Sequence, residues 1–461
     1  MLAPVAFFLI LTLYVGRRIK GPLWAMAISW LFCLMPITIG AVRYEFLSDN
    51  DYWYSACLIG FLTCFITGVV AYNLRNPPRL NAVHPLTQDS RNRDMTWQLP
   101  LARICWWIGA VGTLLLSYDF YVQGGAGLSD LAALREAYNE RTGASIYVEI
   151  SSILSWASLY CYIFALVFRA QLRRAQLIRF LIPIGGFFLV SVFSAGRQAA
   201  FQIFLVTAIV HFCFGSRSVR RIRSRGRVFM LALPALMIVY MGYVAINRNF
   251  TDVSVDHSEA LSALFDFHTS SSLDWIGSIV GNDIKGAVVE GIVYFSSSLA
   301  YFSTFLTVPF PHHFYGVMSF PFFYRQIEPM TGLSVIGALT EKIQYMSAAG
   351  AFGFAWTTAI SSYILDFGTV GAGIFLFLQG YYSQYAWRVA TCGGNFQQIV
   401  ISTMVILSAI YLPIFPASSD SNLFFLWFFC IMVLLWRKRQ REAIAWKRQI
   451  SATRQQALQK P

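Results

Sequence analysis

The sequence predicts an all-α, polytopic integral membrane protein with about 11 transmembrane helices, in a range of about 10–13, and one large extracytoplasmic loop. Hydrophobic residues make up 57% of the 461-residue chain and charged residues only 12%, against about 25% charged in a soluble domain. Windows of roughly 20 predominantly apolar residues, the length that crosses a bilayer as a helix, recur along the chain. Basic residues concentrate in alternate loops between those windows, which is how topology is written into a sequence. Barrel strands would alternate in short segments, and these runs do not.

The first apolar run, 2–16, is followed by Arg17, Arg18 and Lys20. A cleaved signal peptide has its basic residues before the apolar run, so 2–16 is expected to be a retained helix with its N-terminus outside. Spans at 22–42 and 53–73 follow, and then an inner loop at 74–101 whose Pro, Asn and charge read as a linker. Spans at 102–122 and 148–168 flank an outer loop, 123–147. Spans at 178–194 and 199–215 meet in a hairpin of a few residues within Phe193–Phe201, FSAGRQAAF. A span at 228–247 leads into the large outer loop, 248–366, and spans at 367–386, 397–414 and 421–436 lead into a basic cytoplasmic tail, 437–461. Residues 1–461 thus read as a single transmembrane domain.

This topology places 27 of the 35 Lys and Arg residues, but only three of the 22 Asp and Glu residues, on the cytoplasmic side. The net charge of +13 therefore reflects topology and anionic headgroups, not nucleic acid. The eight cysteines lie in apolar runs or an inner loop, with no CxxC, so neither a structural disulfide nor a zinc site is expected. No metal-ligand spacing, Walker motif or usable Rossmann fingerprint occurs, and no cofactor is expected.

Within the large loop, 254–276 carries helical signals, with Ser258 as a cap and Leu261, Leu264 and Phe265 on one face. Residues 287–309 are apolar enough to enter the membrane, but a single crossing there would put the basic tail outside. A re-entrant or surface-lying helix is expected instead, with a second crossing near 333–350 as the rival. The Pro- and aromatic-rich segment 308–329 cannot form one continuous helix.

The outer face carries few cations: Arg43, Arg135, Arg141, Arg197, Arg248, Lys285, Arg325 and Lys342. Six of these eight are arginines, whose fork grips phosphate at two points. Arg135 lies in a short helix expected over 129–141, Arg197 in the hairpin, Arg248 at the outward end of a span and Arg325 in the aromatic segment. Separate segments thus deliver guanidinium groups to one membrane boundary, as a lipid diphosphate would require. Asp366, in Tyr363–Gly371 (YILDFGTVG), sits at the outer mouth of a span; a carboxylate there is functional, paired or a helix cap. His313 is a candidate proton acceptor, with Glu328 and Glu341 as comparable ones. Mid-membrane charges, which ion-coupled transporters need, are almost lacking.

An Arg-containing outer loop (LREAYNER), an outer Gly-Arg turn (SAGRQAAF), a span ending in NRNF, a long outer loop and YILDFGTVG follow in order. Over residues of about 120–390 this order resembles the Wzy-type repeat-unit polymerases of bacterial O-antigen, capsule and exopolysaccharide synthesis. The resemblance implies a GT-C-like membrane glycosyltransferase of the bacterial cytoplasmic membrane, joining undecaprenyl-diphosphate-linked oligosaccharides at its outer face. It implies Arg135 or Arg141 and Arg197 as substrate-holding residues, Arg248 less directly, and Asp366 as part of a DFG-like turn. Membrane lipids, a chain-length regulator and a flippase of the same pathway are the implied partners. A glycan ligase, and a transporter or flippase of lipid-linked sugars, are the alternative readings.

Overall fold

A backbone in hydrocarbon must satisfy its own N–H and C=O groups, and the apolar runs do so as helices. In the computed structural model the described residues are 2–18, 21–45, 47, 52–76, 88–119, 146–193, 198–214, 262, 266–271, 275, 278–279, 281–332, 334–348, 358–392 and 394–458. In chain order the elements are α1 (Ala3–Val15), α2 (Pro22–Thr38), β1 (Val42–Tyr44), α3 (Tyr52–Arg75), α4 (Gln88–Tyr118), α5 (Ile146–Leu154), α6 (Trp156–Val167), α7 (Arg174–Phe193) and α8 (Gln198–Ile209). There follow β2 (Phe267–Thr269), α9 (Asn282–Thr307), α10 (Pro321–Thr331), α11 (Val335–Ala348), α12 (Ala359–Thr391), α13 (Phe396–Tyr411) and α14 (Ser421–Leu458).

Among the described residues five segments are long and apolar enough to cross a membrane: Tyr52–Arg75, Asp94–Tyr118, Glu149–Val167, Ala359–Thr391 and Ser421–Gln440. Ala3–Val15, Pro22–Thr38, Ala199–Ile209 and Phe396–Tyr411 are shorter apolar helices. The class is all-α and the pattern is that of a multi-pass membrane protein. The span expected at 228–247 lies outside the described residues.

The helix ends sort into two sets. One gathers basic residues. Arg388 donates to Asn76 O, the Arg437 guanidinium lies 3.9 Å from the Trp97 ring centroid, and that of Arg179 lies 4.9 Å from Trp106. This end, where the positive-inside rule puts the cytoplasm, is called inner below. At the opposite, outer end, Ser270 N donates to Ala41 O at 3.0 Å.

Helices α3 and α12 run parallel in close contact because glycines face across the seam. A Cβ at Gly68 would stand 2.0 Å from Phe377 O, and one at Gly380 2.1 Å from Phe65 O. Small residues that let backbones approach are how helices associate without a hydrophobic drive between them. Tyr72 extends the seam inward, with its ring centroid 5.3 Å from that of Tyr381.

At the inner end α4, α6, α13 and α14 share a polar core. Asp94 accepts from Phe396 N at 2.7 Å and pairs with Arg437 at 3.5 Å. Gln98 and Gln397 exchange amide hydrogen bonds, and Tyr160 OH donates to Gln98 at 3.1 Å. Asn395 and Gln398 form a reciprocal capping box at the start of α13. A carboxylate and a box at one helix N-terminus satisfy its orphan N–H groups and oppose its dipole.

Two expectations are corrected. The loop expected at 74–101 is helical from Gln88, because Asp94 and Gln98 find partners on α13 and α14. The span expected at 148–168 is present over Glu149–Val167, with a break at Ser155, whose hydroxyl donates to Asn422 on α14. Gly109 and Gly112 of α4 press against that break, where added Cβ atoms would lie 2.7 Å from Ser158 Oγ and 2.9 Å from Leu154 Cβ. Second, within 254–276 residues Phe267–Thr269 form β2, antiparallel to β1 with Arg43 opposite His268, where helix was expected; Ser258, Leu261, Leu264 and Phe265, which carried the helical signals, lie outside the described residues. Asp266 precedes the strand at φ 52°.

Helix α9 is neither surface-lying nor exposed at its centre, since Phe295–Ser303 are all buried. Ser298 donates to Pro413 O at 2.8 Å, Ser296 pairs with Tyr44 at 2.8 Å, Tyr54 OH donates to Leu299 O, and the Phe295 ring lies 5.3 Å from Phe32. These partners lie in the outer half of the bundle. Ser29, in mid-α2, donates to Ile410 O, so α13 stops short of the outer surface and α9 fills the space above it. Helix α11 has 14 residues, too few for a crossing of about 20.

Candidate functional site at the outer mouth of α12

Helix α12 opens with Thr358 accepting from Ser361 N at 3.3 Å. It is interrupted at Gly368, whose φ of 70° and ψ of 173° leave the helical region. The segment between α9 and α10 docks on this opening. Phe314 N donates to Leu365 O at 2.9 Å. Asp366, 1% exposed, accepts from Met318 N at 3.0 Å, from Ser319 N at 2.7 Å and from the Ser319 hydroxyl.

Both carboxylate oxygens are therefore engaged. Asp366 caps the turn Tyr315–Ser319 that lies against it, not the N-terminus of its own helix. Ser418 fixes the far side of the turn by donating to Ser319 O. Tyr324 on α10 donates its hydroxyl to Tyr315 O, and Tyr315 and Gly316 take positive φ of 51° and 101°. A residue other than glycine is held in the left-handed region here only because three neighbouring elements fix the turn.

His313 lies over the kink. A Cβ at Gly368 would stand 3.2 Å from both Cε1 and Nε2 of its ring, and the residue is exposed. The Gly in YILDFGTVG thus serves a positive φ and the close approach of an imidazole at once. Helix α11 covers the same segment. Phe310 and Tyr345 rings lie 5.6 Å apart, and His312 Nε2 is 3.4 Å from Glu341 Oε2. The next residue, Lys342, is half-buried, and burial pushes its amine down to about 8 against the opposing pull of the Asp366 carboxylate.

The structure thus brings Asp366 and His313 to one turn and adds Tyr315, Tyr324 and the His312–Glu341 pair. Arg325, on α10, is exposed, one residue beyond Tyr324. Arg135, Arg141, Arg197 and Arg248 lie outside the described residues. Helices α7 and α8 end at Phe193 and begin at Gln198, on either side of Arg197. Glu328, on the half-buried flank of α10, has its backbone carbonyl taken by Gly332 N at 2.9 Å. Sequence reasoning named Lys342 only as an outward cation. Its partial burial on α11 depends on packing, which no spacing encodes. Among the described residues no group of three His, Cys, Asp or Glu side chains forms a metal site.

Comparison with known proteins finds no matching family, no matching curated protein and no matching solved structure.

Proposed function

We propose that this chain is a polymerase that joins undecaprenyl-diphosphate-linked oligosaccharide repeat units at the outer face of the bacterial cytoplasmic membrane. The observation that carries the reading is the built turn held by Asp366, with His313 over it, at the mouth of α12. The sequence directs Arg135, Arg141, Arg197, Arg248 and Arg325 to the same side.

In this reading the arginines hold the diphosphates of donor and acceptor lipids. Stabilising the charge that develops on the departing diphosphate, next to low-dielectric lipid, supplies the main catalytic effect. Holding two lipid-borne substrates side by side supplies proximity. An acceptor hydroxyl attacks the donor's anomeric carbon and lipid diphosphate leaves. Asp366 shapes the floor of the site through the 315–319 turn. Membrane lipids, and a flippase and a chain-length regulator of the same pathway, are the partners this reading assigns.

The test is synthesis. Purified protein given lipid-diphosphate-linked repeat units is expected to produce a ladder of longer glycans, whereas a ligase would require a different acceptor and a transporter would make no product. Arg197→Ala and Arg135→Ala are expected to abolish chain growth with membrane insertion intact. Arg197→Lys is expected to recover little, because the planar fork is lost. Wild-type chain lengths in both alanine variants would remove those arginines from the site.

A further inference from the structure

Left-handed backbone is normally left to glycine, and a bulky residue there is an outlier. Tyr315 takes φ 51° in the turn that Asp366 holds, and no packing inside the protein compensates. Its side chain is 67% exposed. Among the described residues no aromatic ring packs on it and no side chain bonds its hydroxyl. A glycine would serve the turn with less strain, as one does at Gly316 with φ 101°. Strain kept without internal gain points to a task outside the chain.

The ring is displayed on a fixed base. Tyr324 donates to Tyr315 O, Phe320 N donates to Gly316 O at 2.9 Å, and Phe314 N donates to Leu365 O at 2.9 Å. Phe314, Gly316, Val317 and Met318 are buried on either side. A tyrosine has only two side-chain torsions to fix, so a ligand that meets this ring has little left to order. Its neighbours in the segment, His312 and His313, are exposed, as is Arg325, which follows Tyr324.

We propose that Tyr315 is a stacking platform for a sugar ring, a positioning residue whose assignment rests on the polymerase reading above. A pyranose carries C–H bonds on its face and hydroxyl groups at its edge. The C–H bonds bear slight positive charge and meet the negative face of an aromatic ring, while the hydroxyls need donors and acceptors. An exposed ring flanked in sequence by imidazoles, with a guanidinium one residue past its Tyr324 partner, offers both. A lipid tail would gain nothing from those polar groups. Stacked here, one sugar of a lipid-linked glycan is held at the outer mouth of α12, and orientation of the reacting groups follows.

The experiment compares equilibrium binding of two probes to the purified protein: the lipid-diphosphate glycan that accumulates in cells lacking this chain, and undecaprenyl diphosphate without sugar. Tyr315→Asn removes the ring and keeps a residue that tolerates positive φ. It is expected to lose about tenfold in affinity for the glycan-bearing lipid, with affinity for the sugarless lipid unchanged. Tyr315→Phe, which keeps the aromatic face, is expected to bind both probes like wild type. Glycan binding by Tyr315→Asn equal to that of wild type, a loss shared by both probes, or a loss in Tyr315→Phe would each overturn the assignment, the shared loss marking a membrane-interface anchor instead. Wild-type protein that binds the glycan but never extends it would overturn the polymerase reading and leave the platform standing.

Discussion

Asp366 illustrates how much a single residue type leaves open. A carboxylate at the mouth of a span reads equally as a base, a pair or a cap. The decision came from Met318, Ser319 and the Ser319 hydroxyl, whose donors fill both oxygens. Asp366→Asn turns one acceptor oxygen into an N–H₂ group facing N–H donors. Hydrogen bonds to ionised groups contribute about 1.5–3 kcal/mol, so the turn is expected to loosen by about 2 kcal/mol. Hydrogen exchange should read this as roughly 30-fold faster exchange at Met318 and Ser319. Unchanged protection at these two amides would show that the carboxylate does not hold the turn. Gly368 carried a legible signal, since a glycine inside a helical run asks for a reason. That the reason is the His313 ring could not be read, because the two residues are 55 positions apart and meet only once the segment docks.

At the scale of elements, the apolar runs and their caps were legible because each depends on neighbours in sequence. Helices α2, α3, α7, α12, α13 and α14 appear where hydropathy placed them. The aromatic segment breaks at its prolines and resumes as a helix at Pro321, where proline suits the first turn. The errors fell where a distant partner overrode local preference: the inward extension of α4 and the β1–β2 pair. The α3–α12 seam offers a direct test. Gly68→Ala places a methyl group 2.0 Å from the Phe377 carbonyl, and backbone cannot move aside as a flexible side chain can. Overpacking costs typically 1–3 kcal/mol, so a fall of several degrees in the unfolding temperature of detergent-purified protein is expected. Gly60→Ala, on the same helix with nothing within 4 Å, is the control. Equal melting of the two variants would mean the helices are not in contact there.

At the scale of the whole molecule, the basic side chains of separate loops converge on one end of the bundle. The Arg388–Asn76, Arg437–Asp94 and Arg179–Trp106 contacts place them together. Cys392, exposed beside Arg388, reports which side that is. A membrane-impermeant maleimide is expected to label it in inside-out vesicles and to spare it in intact cells. Labelling from outside would invert the topology and take the proposed chemistry with it. Helix α14 has 38 residues, a length of about 57 Å against a hydrocarbon core of about 30 Å, so its basic second half projects beyond the inner surface.

By itself the sequence determined membrane residence, the positions of most helices, the sidedness implied by charge and the set of outward cations. Each follows from composition or from period along the chain, because water, lipid and membrane polarity act on every residue wherever its neighbours lie. Only the tertiary structure decided that Asp366 grips a turn, that His313 rests on Gly368 and that α9 is sunk among other helices. Those outcomes depend on contacts between segments tens to hundreds of residues apart, set by packing and by the need to satisfy buried polar groups, and no local pattern records them.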